Sequence, residues 1–299
     1  MWALAGLFSA FFLGIYDIFK KTSLNQNAVI PVLFFSTFTS MLIFLPVIIG
    51  SHFIPEIFIK IGLYAPALTV TEQIHVFLKS VLVVSSWILA FFALKNLPIT
   101  IFAPIRATGP LWTLIGAIII FKESLNAYQW IGVTLTLFFF YLFSTAGKLE
   151  GIVFKKNKWI YLLIIATILG AASSLYDKFI FSRINRIAAQ AWFTIYQVGI
   201  MATVLGVLWY PRRKKTTIFQ WRWTIPLIGV TLVIADFLYF YALSLEGSMI
   251  SMISALRRSS VLITFTLGAL IFREQNLKKK SLYLIGILLG ILLITLGSQ

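Results

Sequence analysis

The sequence predicts an all-α membrane protein of ten transmembrane helices, arranged as two five-helix repeats of opposite orientation. Three observations carry this. Hydrophobic residues fill 60% of the 299 positions and charged residues only 11%, a balance outside the range of soluble domains. The apolar runs last about 18–25 residues, the length a helix needs to cross the hydrocarbon. The third is duplication. The stretch from Trp87 to Glu123 is answered by the stretch from Asp236 to Glu274: Ala93-Leu94 by Ala242-Leu243, Arg106 by Arg257, and Phe121-Lys122-Glu123 by Phe272-Arg273-Glu274. Arg106 and Arg257 stand the same distance ahead of their closing phenylalanines.

The expected spans are 2–20, 28–50, 74–95, 98–121, 127–147, 159–181, 190–210, 223–244, 247–272 and 280–298. No basic stretch precedes Met1-Trp2-Ala3, so the first run reads as a retained helix and not a cleaved signal. Residues 51–73, with Pro55, Pro66 and several charges, are expected to form an interfacial helix. Spans three and four meet at a turn around Pro98, and Pro104 and Pro110 are expected to break span four beside Arg106. Spans eight and nine meet around Glu246-Gly247. The other breaks are basic: Lys155-Lys156-Asn157-Lys158, Arg212 to Lys215, and Lys278 to Lys280. The repeats therefore divide as 1–150 and 151–299. Tyr16-Asp17 in span one corresponds to Tyr176-Asp177 in span six, and Ile131-Gly132 to Ile285-Gly286 in spans five and ten. Gly286 and Gly290 give the last span a spacing that permits close helix approach.

An odd number of spans per repeat makes the second copy enter the membrane inverted. Inverted repeats around a midplane site are the architecture of alternating-access transporters. Several other classes are excluded or disfavoured. Outer-membrane barrels alternate apolar and polar residues, and this chain does not. With no cysteine, disulfide and thiol chemistry are absent. The net charge of +16 sits in short loops, where anionic lipid headgroups explain it better than nucleic acid does. His52 and His75 lack a carboxylate cluster, and no metal-ligand spacing, nucleophile constellation or phosphate loop occurs, which disfavours an enzyme, a metal or another cofactor, and ATP as energy source. A flippase for a phosphorylated lipid or lipid-linked sugar stays open as an alternative.

Loops 1–2, 3–4, 5–6, 7–8 and 9–10 hold Lys20, Lys21, Lys95, Lys148, Lys155, Lys156, Lys158, Arg212 to Lys215, Arg222, Arg273 and Lys278 to Lys280. The others hold Lys60, Lys79, Lys122, Lys178, Arg183 and Arg186. The positive-inside rule then puts both termini outside the cell's inner (plasma) membrane.

Ten spans in two inverted repeats, with Phe-x-Glu closing spans four and nine, resemble the drug/metabolite transporter superfamily, EamA branch, over the whole chain. That resemblance implies a metabolite exporter or exchanger with both termini in the cytoplasm, opposite to the charge count. In phosphate-exchanging relatives, basic residues on helices four and nine hold the phosphate, and Arg106, Arg257 and Arg258 match that placement.

An arginine inside a span costs roughly 2.5–3.5 kcal/mol on insertion scales and marks a functional site by default. Arg106, Arg257 and Arg258 against few carboxylates favour an anionic or zwitterionic substrate held by guanidinium forks. Arg257 and Arg258 are about 100° apart on a helix, so one is expected to face the site while the other pairs with an acid. Asp236, near mid-span, is the first candidate for pairing or proton coupling. Asp17 and Asp177 follow, with Lys20, Lys21 or Lys178 as structural partners. Tyr16, Tyr176 and Tyr239 adjoin these acids and complete the expected substrate contacts. Glu123 and Glu274 read as helix-end residues, ion-paired with Lys122 and Arg273, that act in gating. The expected partners are a small-molecule substrate and the bilayer, with the protein as monomer or homodimer.

Overall fold

The computed structural model describes residues 2–121, 125–146, 152–181, 183–244, 256–274 and 276–297. These residues are helical, joined by short connections, and no strand occurs among them. The first half comprises α1 (Trp2–Leu24), α2 (Val29–Phe53), α3 (Pro55–Lys60), α4 (Val70–Asn96), α5 (Ile99–Ala107), α6 (Gly109–Phe121) and α7 (Ala127–Ala146). The second comprises α8 (Lys158–Phe181), α9 (Arg186–Val204), α10 (Thr224–Ser244), α11 (Ser260–Phe272) and α12 (Leu277–Gly297).

Local signals explain where the elements differ from expectation. α4 starts at Val70 and not at 74, because Thr69 and Glu72 form a capping box: the Glu72 carboxylate accepts the Thr69 N–H at 2.7 Å, and the Thr69 hydroxyl accepts the Glu72 N–H. α9 starts at Arg186 because the Asn185 side chain accepts from the N–H groups of Ile187 and Ala188. It then continues through a π turn, Leu205–Trp209, into a 3₁₀ turn ending at Arg212. The interfacial helix expected over 51–73 is confined to α3, where no residue is buried. Residues 63–69 have no regular structure. The expected ninth span is described only from residue 256 onward, and Glu246-Gly247 lies outside the described residues.

Span four is broken in two. The Thr108 N–H and hydroxyl both bond the Ile105 carbonyl, at 3.2 and 2.7 Å, and Leu111 N–H bonds the Thr108 carbonyl. The second half repeats this at the equivalent residues. Ser259 N–H and hydroxyl bond the Leu256 carbonyl, at 3.0 and 2.5 Å, and Leu262 N–H bonds the Ser259 carbonyl.

The bundle surface is apolar. Leu4, Phe8, Ile119, Phe138, Leu270 and Leu282 are each more than half exposed, an arrangement suited to lipid and not to water. Among the described residues five helices are long and apolar enough to cross a membrane: Val29–Phe53, Val70–Asn96, Lys158–Asp177, Arg186–Arg212 and Leu277–Gly297. Ala127–Phe143 and Thr224–Tyr239 are shorter apolar helices. α5 lies at the centre, with Ile99, Ile101, Phe102, Ala103 and Ile105 almost fully buried.

Helix pairing crosses between the halves. α1 packs along α10 and α8 along α4; α2 touches α10 as α9 touches α4; α1 meets α11 as α8 meets α6. The pairs α2–α9 and α7–α12 each join a helix to its counterpart. Interchanging the halves leaves this pattern unchanged.

Candidate substrate site at the broken helices

Two helix breaks, one from each half, bring cationic side chains together. Arg106 lies in the last turn of α5, just ahead of the Thr108 break. Arg257 and Arg258 lie in the helical turn ahead of the Ser259 break. A helix interrupted inside a bundle exposes unpaired backbone groups and side chains to an interior site, the device used by midplane-binding transporters.

The three arginines are held differently. Arg257 forms a salt bridge with Asp236 of α10, and its guanidinium stacks 4.4 Å from the centre of the Tyr239 ring, a cation–π contact. Arg106 donates from Nη1 to the Ala166 carbonyl of α8 at 3.3 Å. Gly170 of α8 lies beside it: a Cβ there would stand 3.6 Å from that nitrogen, in ordinary van der Waals contact. Arg258 reaches across to the other break, with Nη1 3.8 Å from where a Cβ on Gly109 would stand. Among the described residues no carboxylate lies within 4 Å of Arg106 or Arg258. Arg258 lies within electrostatic reach of Arg106, Arg257 and Tyr239. Of the adjacent pair, then, Arg257 is tied to an acid and Arg258 is not.

Tyr16 and Asp17 of α1 join the same cluster. Tyr16 is buried and within electrostatic reach of Asp17, Arg106 and Asp236. It lines a void of ≈ 10 Å³ with Ser36, Thr37, Trp87 and Phe91, room for about one water. Asp17 accepts from Lys20 Nζ at 2.7 Å and, through its other oxygen, from the Thr264 hydroxyl of α11 at 3.4 Å.

Tyr176 and Asp177 occupy a second cluster, where α8 meets α4. The Tyr176 hydroxyl hydrogen-bonds Nδ1 of His75 at 2.6 Å, and Asp177 forms a salt bridge with Lys79. The side chain of Lys178, an expected partner of Asp177, lies outside what the structure describes; the salt bridge it does describe comes from α4, where Lys79 and His75 are one turn apart and present the same face to α8.

Glu274 is not paired with Arg273. Arg273 takes the left-handed conformation at φ 51° and ends α11, and the turn carries the Glu274 carboxylate to the start of α5. There it accepts the N–H of Ile99 at 2.7 Å, the N–H of Thr100 at 3.0 Å and the Thr100 hydroxyl. Lys280 of α12 donates to the same hydroxyl at 2.8 Å. Glu123, its counterpart, lies outside the described residues.

Sequence reasoning missed two lysines by placing them in loops. Lys20 is 5% exposed and Lys280 is fully buried; both belong to the bundle interior. For Lys20 the available signal is its i,i+3 spacing from Asp17 on an otherwise apolar helix. His75 also gains partners that its sequence neighbours do not reveal.

The family model of the EamA-like transporter family matches this chain in two stretches, residues 1–145 and 157–296. No curated protein matches it.

Proposed function

The chain belongs to the EamA-like transporter family, a multi-pass membrane transporter of the drug/metabolite type, and we propose that it carries a small metabolite bearing an anionic group. The observation behind this reading is the inequality among the arginines. Asp236 neutralises Arg257, and Asp17 neutralises Lys20, whereas Arg106 and Arg258 lie within electrostatic reach of each other with no carboxylate within 4 Å of either among the described residues. Guanidiniums brought into a bundle without counter-charge are costly, and a phosphate or carboxylate held by both removes that cost. Two uncompensated guanidiniums suit a doubly charged group best, such as a phosphate monoester or a dicarboxylate.

Transport follows from the same geometry by alternating access. The cationic site lies between two helix breaks related by interchange of the halves, so rocking one half against the other opens it to each face in turn. Tyr239 and Asp236 fix Arg257 as a wall of the site, and Tyr16 closes the side toward α1.

Thermal unfolding of detergent-purified protein tests the reading, because a ligand specific to the folded state raises stability by RT ln(1 + [L]/Kd). Sulfate, glycerol 3-phosphate, succinate, amino acids, amines and neutral sugars are compared at millimolar concentration. Stabilisation confined to anions, and lost in Arg106→Gln and Arg258→Gln, is the expected result. Stabilisation by amines or neutral sugars that survives both substitutions would overturn it.

A further inference from the structure

Lys20 has no part in the function argued so far, yet it is the most confined cation near the site. Its Nζ lies 2.7 Å from Asp17 Oδ1 and over three aromatic rings: Tyr16 at 4.3 Å, Phe91 at 5.1 Å and Phe102 at 5.4 Å. These rings belong to α1, α4 and α5. An ammonium carries three donors, and among the described residues only Asp17 takes one. Ring faces attract the charge without using a donor proton. Arg106 lies within electrostatic reach of both Lys20 and Asp17, so an anion seated on Arg106 acts on both members of the pair.

We propose that Lys20 and Asp17 form a displaceable ion pair that couples anion binding to proton uptake, an inference that rests on the anion reading above. The incoming anion attracts the Lys20 ammonium, which keeps its own proton and swings on its flexible stem from the carboxylate to the ligand. Among the described residues Asp17 is then left with one hydrogen bond, from the Thr264 hydroxyl at 3.4 Å. A buried carboxylate without a counter-charge takes a proton from solution and becomes a neutral acid. One proton then enters with each anion, and release of the anion lets Lys20 return and expel it.

The other acids fit this role less well. Asp236 is held by an arginine that is stacked on Tyr239, and a guanidinium neither loses its proton nor swings freely. Asp177 pairs with Lys79, whose ammonium lies 4.9 Å from the Phe193 ring centre in the second cluster. The titratable and charged groups around the Asp17–Lys20 pair are Tyr16 of α1, Arg106 of α5 and, beyond Tyr16, Asp236 of α10. α11 presents Thr264, and α4 presents Phe91.

The test measures proton uptake on binding. Sulfate, glycerol 3-phosphate and succinate are titrated into the full-length protein in weakly buffered detergent solution with a pH-indicator dye, and the ionisation of the free anion is subtracted. About one proton taken up per anion bound is expected in the wild type, with affinity rising as pH falls, up to tenfold per pH unit. Asp17→Asn is expected to bind with no uptake and a flat pH profile. Lys20→Gln provides an independent arm: without its partner Asp17 already holds a proton, so uptake on binding disappears there too. Binding without uptake in the wild type, or uptake that persists in Asp17→Asn, overturns the coupling and leaves the anion site standing. If none of the three anions binds the wild type, both readings fall.

Discussion

Glu274 shows how much one side chain can organise. The first N–H groups of any helix lack intrahelical partners, and α5 begins after Pro98 with none of its own side chains capping them. Glu274 accepts two of these N–H groups from 175 residues away, and a carboxylate at a helix N-terminus is favoured by the dipole as well. Glu274→Ala is therefore expected to lower stability by about 1–2 kcal/mol, the scale of a lost N-cap. Glu274→Gln, which keeps an acceptor, should lose less. Unfolding midpoints of the two variants decide this, and a Glu274→Ala midpoint equal to wild type would remove the cap from the account. The sequence marks Glu274 as a helix-end residue, but its partner on α5 is invisible there because no local spacing links positions so far apart. Lys20 was misread for a related reason. Charges near the end of an apolar run look like loop residues, and only the fold shows that α1 continues to Leu24 with that face turned inward.

At the scale of elements, the duplicated break was legible from the matched arginines, though its cause was only partly so. Pro104 and Pro110 account for a break in span four. The counterpart of Pro110 is Val261, and that helix breaks as well. What the two share is a hydroxyl, Thr108 or Ser259, that bonds the carbonyl three residues back and competes with the helix ladder. The glycine seam between α7 and α12 was legible in half: Gly286 and Gly290 pointed to close approach, but not to Gly132 as the partner. A Cβ on Gly132 would stand 2.6 Å from the Gly290 carbonyl oxygen, and one on Gly290 would stand 2.8 Å from that of Gly132. Backbone cannot yield as a side-chain tip does, so Gly290→Ala should cost about 1–3 kcal/mol as overpacking. Gly199 of α9 has nothing within 4 Å of its Cβ position. Gly199→Ala should thus stabilise by about 0.5–1 kcal/mol, the difference between glycine and alanine inside a helix. Thermal unfolding of the two variants checks both signs, and equal effects would show that the seam is looser than its geometry.

For the whole molecule, interchange of the halves preserves the helix pairing, yet the charges do not follow that symmetry. Lys20 and Lys280 are interior, and Lys79 is committed to Asp177, so none of the three reports orientation. The excess survives their removal. Lys95, Lys155, Lys156, Lys158, Arg212 to Lys215, Arg222, Lys278 and Lys279 lie at one end of the bundle, against Lys60, Arg183 and Arg186 at the other. The positive-inside rule weighs such short connections most heavily, so the end carrying Arg212 to Lys215 should face the cytoplasm. The chain has no cysteine, so single cysteines report accessibility without background. Lys214 and Glu56 are exposed at opposite ends. In spheroplasts, Glu56→Cys should react with a membrane-impermeant maleimide, and Lys214→Cys should react only after permeabilisation. The reverse pattern would invert the molecule. It would also place the end capped by Glu274 and Lys280 on the outside, and the His75–Tyr176 and Lys79–Asp177 contacts toward the cytoplasm.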